Sequence, residues 1–296
     1  MRHLTTFRLI DKIAKTRSIR AAAEDLYLAP SAAQRRLQAF EEELGEPIFD
    51  RLSSGVRLNA AGELVIHHIR MQLAETERLH SRIADLAGMR RGHVSIACSQ
   101  ALAPSFLPQQ IARYRERFPE VTFSVAILNH YEATRSLEEF SVDLAIVFDP
   151  IERPRFQLLN AVKQNLMAVV SRHHPLATEK TIRLHSCMHY PLVLPTSDFG
   201  GRQILERAVA NLSISITPTV ESNSFEFLKN YVLHENAITF QIPIGVPQNG
   251  EIDGLVTIPI DERDVTSGMI YVGQLSGRIL PVASARFADE ISRYLV

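Results

Sequence analysis

The chain has 296 residues, of which 46% are hydrophobic and 22% are charged, and its formal net charge is −1. This composition predicts ordinary globular cores in two or three domains and excludes a disordered, fibrous or disulfide-stapled chain. Charged residues interrupt every apolar run of the opening stretch, MRHLTTFRLIDKIAK. No run of about eighteen apolar residues follows, so we expect a soluble, cytoplasmic protein with no signal peptide and no contact with a membrane.

The charge is distributed unevenly along the chain. Residues 1–92 hold 15 Lys and Arg against 12 Asp and Glu, whereas residues 93–296 hold 17 against 21. The near-neutral total therefore averages a basic N-terminal part and an acidic remainder. The difference is too small to predict nucleic-acid binding without a supporting motif.

Hydrophobic spacing predicts three helices near the N-terminus, at residues 4–15, 19–26 and 31–44. Ser18 is a natural N-cap for the second helix, and Gly45 is a natural C-terminal cap for the third. The second and third helices are short and joined by a tight link, which is typical of a helix-turn-helix.

The third helix has two unlike faces. One carries an apolar stripe formed by Ala33, Leu37, Phe40 and Leu44. The other carries side chains that can hydrogen-bond base edges in the major groove. A merely solvated helix face is the alternative interpretation. The predicted base-contacting residues are Ser31, Gln34, Arg35 and Gln38.

A small hairpin is predicted directly after these helices. Apolar residues bracket the turn Ser53-Ser54-Gly55, and they place Arg51 and Arg57 where a wing contacts phosphates. A winged helix-turn-helix follows from this order of elements.

Several segments of this region resemble the N-terminal domain of LysR-type regulators. They are Phe7, SIRAAAEDL at 18–26, FEEELG at 40–45, PIFDR at 47–51 and VRLNAAG at 56–62. The chain departs from the family at Ala29, Pro30 and Ser31, where a serine, a glutamine and a proline are usual, at Gln34, where a serine is usual, and at Asn59, where a threonine is usual. The departures fall on the predicted DNA face or at caps, so the family's common operator is not assumed.

A long helix is predicted from the N-cap Asn59 to about Met89, before Gly92. Its apolar seam packs either on its own domain or, as the resemblance implies, against a second subunit. We favour pairing, because a dimer presents two recognition helices to two half-sites. The seam consists of Ile66, Ile69, Leu73, Thr76, Ile83 and Ala87.

Beyond Gly92, short apolar strands alternate with helices, which predicts parallel sheets covered by helices in two lobes. The segments FLPQQIARYRERFPEV, VDLAIVF, HHPLA and LPVASARFADEI resemble the LysR effector domain in the same order. The resemblance implies an α/β two-lobed, periplasmic-binding-protein-like fold whose chain crosses near Lys163 and returns near Thr266. The expected domains are an all-α winged helix-turn-helix at 1–58, a linker helix at 59–91 and an effector domain at 92–296, with lobe I at 92–163 and 266–296 and lobe II at 164–265.

An effector site is predicted at the carboxyl ends of the strands, where open sheets bind ligands. Most side chains there are small hydroxyls or amides that orient a polar ligand. Arg202 would pair with a carboxylate, whereas Asp149 would repel one, so the ligand's charge stays open. The predicted residues are Ser99, Gln100, Ala101, Asn129, His130, Phe148, Asp149, Thr196, Ser197, Arg202, Ser222, Asn223, Ser224 and Gln241.

Three other functions fit the sequence less well. An enzyme is disfavoured because no nucleophile-elbow, P-loop or dinucleotide motif occurs, and we predict no catalytic residue, no metal and no cofactor. A thiol-based redox regulator depends on Cys98 or Cys187, whose reactivity the sequence does not indicate. A solute-binding protein is disfavoured, because the sequence shows no signal peptide and its first ninety residues predict a DNA-binding domain.

The sequence thus predicts a DNA-binding transcription regulator controlled by a small molecule that closes its two lobes. Its expected partners are double-stranded promoter DNA, a small-molecule effector and a second copy of the chain. The resemblance further implies a homotetramer and contact with RNA polymerase.

Overall fold

The computed structural model describes residues 3–86, 91–148, 155–211, 216–245, 251–252 and 254–295. The chain forms two compact units, Met1–Ala87 and Gly88–Val296. Among the described residues, no helix has the length and apolarity needed to cross a membrane.

Three helices build the core of the first unit: α1 (His3–Thr16), α2 (Ile19–Asp25) and α3 (Pro30–Leu44). The Ser18 side chain accepts a hydrogen bond from the Ala21 N–H at 3.2 Å, so the predicted N-cap of α2 is confirmed. The helix α3 begins with Pro30, whose fixed φ suits the first helical turn, and it ends at Gly45 in the left-handed conformation with φ +84°.

The stripe predicted on α3 is correct except at its end. Ala33 and Leu37 are buried, and Phe40 packs against the same core. Leu44 is 42% exposed, because it lies in the last turn of the helix, beyond the reach of the core.

The hairpin consists of β1 (Phe49–Leu52) and β2 (Gly55–Leu58), which pair antiparallel. The Val56 N–H donates to the Arg17 carbonyl at 2.9 Å, which attaches the hairpin to the turn between α1 and α2. Gly55 has φ +131°, and a Cβ at this position would lie 2.3 Å from the Arg17 carbonyl oxygen. Only glycine fits this approach.

The helix α4 (Ala60–Leu86) follows the hairpin. The Asn59 Oδ1 accepts from the Gly62 N–H at 2.8 Å, which confirms the predicted cap. The predicted seam is buried only in its first half, at Ile66 and Ile69, whereas Ile83 is 54% exposed. Ala87 and Met89 lie outside the described residues.

The second unit contains two larger sheets and one strand pair. Its strands are β3 (Gly92–Cys98), β4 (Val121–Ile127), β5 (Leu144–Phe148), β6 (Phe156–Gln164), β7 (Met167–Ser171), β8 (Val193–Pro195), β9 (Val220–Ser222), β10 (Thr239–Gln241), β11 (Glu251–Ile252), β12 (Leu255–Pro259) and β13 (Gly268–Leu275). Its helices are α5 (Phe106–Arg117), α6 (His130–Glu138), α7 (Leu184–Cys187), α8 (Gly200–Asn211), α9 (Phe225–Tyr231) and α10 (Val282–Tyr294).

The first sheet has five strands in the order β4-β3-β5-β13-β6. The strands β3, β4 and β5 are parallel, as predicted, and α5 and α6 connect them. The strand β13 is antiparallel to β5 and β6, because the chain returns to this sheet from the opposite direction.

The second sheet has the order β10-β7-β12-β11 and is antiparallel throughout. The prediction of parallel sheets is therefore wrong for this sheet, although the strand pair β8-β9 beside it is parallel. The chain passes from the first sheet to the second between β6 and β7, and it returns between β12 and β13.

Candidate DNA-binding face and ligand cavity

The polar face of α3 is open to solvent. Ser31, Arg35 and Gln38 are exposed and Gln34 is half-buried. The opposite face holds Ala33 at 0% exposure, so core packing fixes which side chains point outward. The predicted base-contacting residues therefore share one accessible helix face.

Four exposed arginines of the first unit, two on α3 and two in the hairpin, differ in their ion pairs. Arg35 and Arg36 are exposed and form no ion pair within the part of the chain that the structure describes. Arg51, on β1, is also exposed and forms no ion pair within the described residues. The Arg57 guanidinium, in contrast, lies 3.8 Å from the Asp50 carboxylate across the hairpin. Sequence reasoning missed Arg36, although it adjoins Arg35 on the same helix.

A cavity lies in the second unit where β3 and β5 end, and residues of both sheets line it. The gap is about 580 Å³ counted to its open mouth, but the space for the centre of a water molecule is only about 40 Å³. The cavity is therefore narrow. Its lining includes these predicted effector residues: Ser99, Ala101, Asn129, His130, Phe148, Arg202 and Gln241.

Six predicted effector residues do not line the cavity but hold the loops around it. The Gln100 side chain donates to the Asn223 carbonyl at 3.0 Å and accepts from the Phe225 N–H at 2.5 Å. The Ser224 hydroxyl caps α9 by accepting from the Phe227 N–H at 3.2 Å, and Ser222 in turn accepts from the Ser224 N–H at 3.1 Å. These contacts make Gln100, Ser222, Asn223 and Ser224 parts of the frame.

The loop after β8 is held in a similar way. The Thr196 hydroxyl donates to the Asp198 carboxylate at 2.5 Å. Ser197 is exposed, and its carbonyl accepts from the Gln203 side chain at 3.1 Å. Asp149, the remaining predicted effector residue, lies outside the described residues.

The predicted role of Arg202 needs correction. This residue is 7% exposed, and its guanidinium already donates to Glu206 at 2.7 Å, to Glu221 at 3.2 Å and to the Pro195 carbonyl at 3.1 Å. Two carboxylates neutralise its charge, so a ligand carboxylate would have to compete with both.

Sequence reasoning missed the apolar part of the lining. The prediction was based on polar loop residues that can orient a ligand, so it named hydroxyls and amides and left out the neighbouring aromatic residues. The sequence signal was the run of aromatic and glycine residues just after β8, which frames the start of α8. The missed lining residues are Leu166, Pro195, Phe199, Gly200, Gly201, Leu205, Phe225, Phe240 and Ile242.

Both thiols are buried, Cys98 at the end of β3 and Cys187 at the end of α7. Burial raises the pKa of the Cys98 thiol to about 12 and that of the Cys187 thiol to about 12. At neutral pH the reactive thiolate is therefore disfavoured at both positions, which argues against the thiol-based alternative.

The histidines do not assemble a metal cluster among the described residues, which contain no group of three or more potential ligands. The chain does contain one spacing typical of zinc ligands, at His185 and His189. Their rings meet edge to face with centroids 5.1 Å apart, but α7 ends between them at Cys187, so no continuous helix holds the pair.

Two family models match the chain. The model described as "Bacterial regulatory helix-turn-helix protein, lysR family" matches residues 4–63. The model described as "LysR substrate binding domain" matches residues 87–295.

Curated relatives are similar over most of the chain. The HTH-type transcriptional activator CmpR of Synechocystis sp. is 25% identical over 77% of this chain and 75% of the relative. The HTH-type transcriptional regulator CysB of Burkholderia cenocepacia is 28% identical over 87% of this chain and 83% of the relative.

Solved structures share the fold. A full-length OxyR variant from Pseudomonas aeruginosa superposes with a TM-score of 0.75 at 19% identity, covering 97% of this chain and 94% of that one. Full-length CbnR, solved in complex with its target DNA, has a TM-score of 0.66 at 17% identity, covering 98% and 99%. Because the substrate-binding model alone matches most of the chain, the chain belongs to the LysR family of bacterial transcription regulators, with a DNA-binding helix-turn-helix domain followed by an effector-binding domain.

Proposed function

We propose that this regulator binds an interrupted palindromic operator as a homo-oligomer, and that a small molecule in the cavity of the second unit changes that binding. The observation that carries the proposal is the exposed polar face of α3, behind which Ala33 and Leu37 fix the helix on its core. A helix held in this way presents the same side chains to the major groove each time it docks.

Sequence preference would come from Ser31, Gln34, Arg35 and Gln38. Arg suits the O6 and N7 atoms of guanine, and Gln suits the N6 and N7 atoms of adenine. Ser31 is in the first turn of α3, the end of a recognition helix that contacts base edges.

Affinity independent of sequence would come from Arg51 and Arg57 in the hairpin. Both side chains are exposed, and the contact between Val56 and Arg17 holds the hairpin in place. Phosphate contacts of this kind fix the register of a protein on DNA but carry no sequence information.

The second half of α4 supports pairing with a second copy. Leu79, Ile83 and Leu86 are 50%, 54% and 89% exposed, and their spacing of four and three residues aligns them on one side of the helix. Apolar side chains in this pattern are typical of a helix that packs against another helix. The structure of CbnR with its target DNA concerns a protein of the same fold, which supports the assignment of DNA as partner.

Assembly into a tetramer, contact with RNA polymerase and a cytoplasmic location are further parts of the proposal, and family membership supports them. A regulator of this kind needs no catalytic group, cofactor or metal. For the effector, we retain Ser99, Ala101, Asn129, His130, Phe148, Arg202 and Gln241 as cavity residues, Gln100, Thr196, Ser197, Ser222, Asn223 and Ser224 as the frame around them, and Asp149 on sequence grounds alone.

The test compares two variants on specific and random duplex DNA at several salt concentrations. Arg51→Ala should weaken binding to both DNAs by a similar factor and reduce the salt dependence, because one phosphate contact is lost. Gln34→Ala should cost about 1–3 kcal/mol on the specific site and much less on random DNA. Arg263→Ala, which removes a 75% exposed arginine from the second unit, is the charge-matched control.

Equal effects of Arg51→Ala and Gln34→Ala on both DNAs would contradict the division between phosphate and base contacts. If Arg263→Ala weakened DNA binding as much as Arg51→Ala, the placement of the DNA face on the first unit would be contradicted.

A further inference from the structure

The cavity has a chemical character that narrows the class of its ligand. Four phenylalanines, Phe148, Phe199, Phe225 and Phe240, contribute to its lining. The rings of Phe199 and Phe225 lie 5.0 Å apart at 50°. Aromatic walls around a narrow gap favour a small, flat, apolar body, since that shape makes the most contact with the rings.

The only cationic side chain of the described lining whose charge is fixed is that of Arg202, and it is already neutralised. Its side chain is 8% exposed, and it pairs with Glu206 and Glu221. A carboxylate ligand would have to lose most of its hydration without gaining a free cation, which is unfavourable.

Negative charge also lies at the edge of the cavity. Asp198 precedes α8, and its carboxylate accepts a hydrogen bond from the cavity residue Asn129 at 3.0 Å. The first N–H groups of α8, at Gly200 and Gly201, lack partners within their helix, and both glycines belong to the lining. With Asp198 already beside this helix start, the N–H groups suit a neutral oxygen acceptor better than a second anion.

Two neutral polar side chains complete the lining. Ser99 is half-buried and Gln241 is 6% exposed, and neither side chain forms a hydrogen bond with another residue within the described ranges. Because both residues belong to the lining, a hydroxyl and an amide without a partner inside the protein can bind the polar end of a ligand.

We propose that the effector is an uncharged, flat, mainly apolar molecule with one neutral hydrogen-bonding group, such as an amide, a carbonyl or a hydroxyl. This assignment rests on the proposed function, in which the cavity is the effector site. The apolar body packs among the phenylalanines, and the polar group meets Ser99, Gln241 and the start of α8. Release of Arg202 from its two glutamates would shift the preference toward carboxylates.

The experiment uses three probes of the same shape that differ in charge: benzamide, benzoate and benzamidinium. Isothermal titration of the full-length protein at pH 7 measures binding of each probe. Benzamide should bind at least about tenfold more tightly than either charged probe. Benzoate would lose hydration without a free cation, and benzamidinium would have to displace Asn129 and Thr196 from the Asp198 carboxylate. Ser99→Ala and Gln241→Leu should each weaken the binding of benzamide about tenfold. The same loss in both variants would show that it does not come from misfolding of one of them.

The variant with Glu206→Gln and Glu221→Gln tests the role of charge directly. It should strengthen benzoate binding about tenfold and leave benzamide unchanged, because Arg202 becomes available to an anion. Benzoate or benzamidinium binding to the unaltered protein as tightly as benzamide would overturn the proposal, and so would no binding of benzamide.

Operator binding is measured on the same samples without any probe. If DNA is bound specifically while benzamide is not preferred, the ligand class is wrong and the proposed function stands. If benzamide is preferred while DNA is not bound specifically, the failure lies in the proposed function.

Discussion

Asn129 and Asp198 join the two sheets of the second unit across the cavity. The Asn129 Nδ2 donates to the Asp198 Oδ2 at 3.0 Å, while its Oδ1 accepts from the Glu132 N–H at 2.9 Å and so caps α6. One amide thus serves both a helix on the first sheet and the loop after β8 beside the second. A movement of the lobes that separates Asn129 from Asp198 has to break this bond.

Asp198→Ala should weaken the link between the start of α6 and the loop after β8. A neutral donor bonded to a carboxylate contributes about 1 kcal/mol or slightly more, so amide hydrogen exchange in the loop after β8 and at the start of α6 should accelerate about fivefold. Mass spectrometry of exchanged peptides measures this change.

Thr196→Val is the matched control, since it removes the Thr196 bond to Asp198 at 2.5 Å and keeps the bond to Asn129. It should accelerate exchange in the loop and leave α6 unchanged. Equal acceleration of α6 in both variants would show that the bond across the cavity has no special role.

The exposed stripe on α4 predicts the oligomeric state. Leu79→Glu combined with Ile83→Glu should convert the assembled protein into monomers, because two charges replace apolar side chains that are 50% and 54% exposed in the single chain. Sedimentation velocity measures the result. Leu64→Glu, at a residue that is 78% exposed near the start of the same helix, is the control. An unchanged sedimentation coefficient in the double variant would place the subunit contact elsewhere.

Gly62 lies at a position of the first unit where a larger side chain should destabilise the fold. A Cβ there would lie 2.1 Å from the Ile48 carbonyl oxygen and 2.9 Å from Leu58 Cδ2. Gly62→Ala should therefore cost about 1–3 kcal/mol of unfolding free energy, although alanine favours helix. Urea unfolding followed by circular dichroism at 222 nm measures the cost. Ala60→Ser, at an exposed position of the same helix, should cost less than about 0.5 kcal/mol, and a loss as large as that of Gly62→Ala would contradict the close approach.

The buried thiols predict a resistance to modification. Because burial raises the pKa of both Cys98 and Cys187 to about 12, iodoacetamide should label neither at pH 7, and raising the pH to 9 should leave the rate low. Both should be labelled readily in denaturant at pH 9, because an unfolded thiol with a pKa of about 8.5 is largely ionised there. Rapid labelling of either thiol in the native protein at neutral pH would restore the redox alternative.

His174 predicts a pH dependence of stability. Burial lowers its pKa below 6.5, its ring packs on Tyr190 with centroids 4.4 Å apart, and its Nδ1 accepts from the Leu176 N–H at 3.1 Å. As the pH falls below 6.5, the unfolded chain binds a proton that the native ring resists, so stability declines toward acid. His174→Asn, which keeps an acceptor at the same place, should flatten this decline in urea titrations between pH 7 and 5. An unchanged slope would mean that the ring takes up the proton without cost.

Local sequence signals predicted the first unit well. Ser18, Gly45 and Asn59 each act as the cap that their residue type and spacing indicated, because a cap depends on the few residues beside it. The exposure of Ile83 in the single chain is compatible with the predicted pairing of α4, but periodicity marks only an apolar face and does not say what covers it.

Local sequence signals did not predict the pairing of strands in the second unit. The antiparallel pairing of β12 and β13 was not predicted, because it depends on how the chain returns between the lobes. Strand direction follows from connections distant in sequence, which alternation of apolar segments does not encode. The apolar lining of the cavity was missed for a similar reason, because Phe199 and Phe225 come together only after the loops fold.

Selection of bound sequences from a random duplex library, at physiological salt, tests the central claim most directly. Nonspecific phosphate contacts are weakened under these conditions, so enrichment reports base readout by α3. We predict recovery of an interrupted palindrome whose half-sites lie about 10 base pairs apart or a multiple of that distance. Recovery of unenriched sequences, with the same affinity for every duplex tested, would contradict the assignment of a sequence-specific regulator.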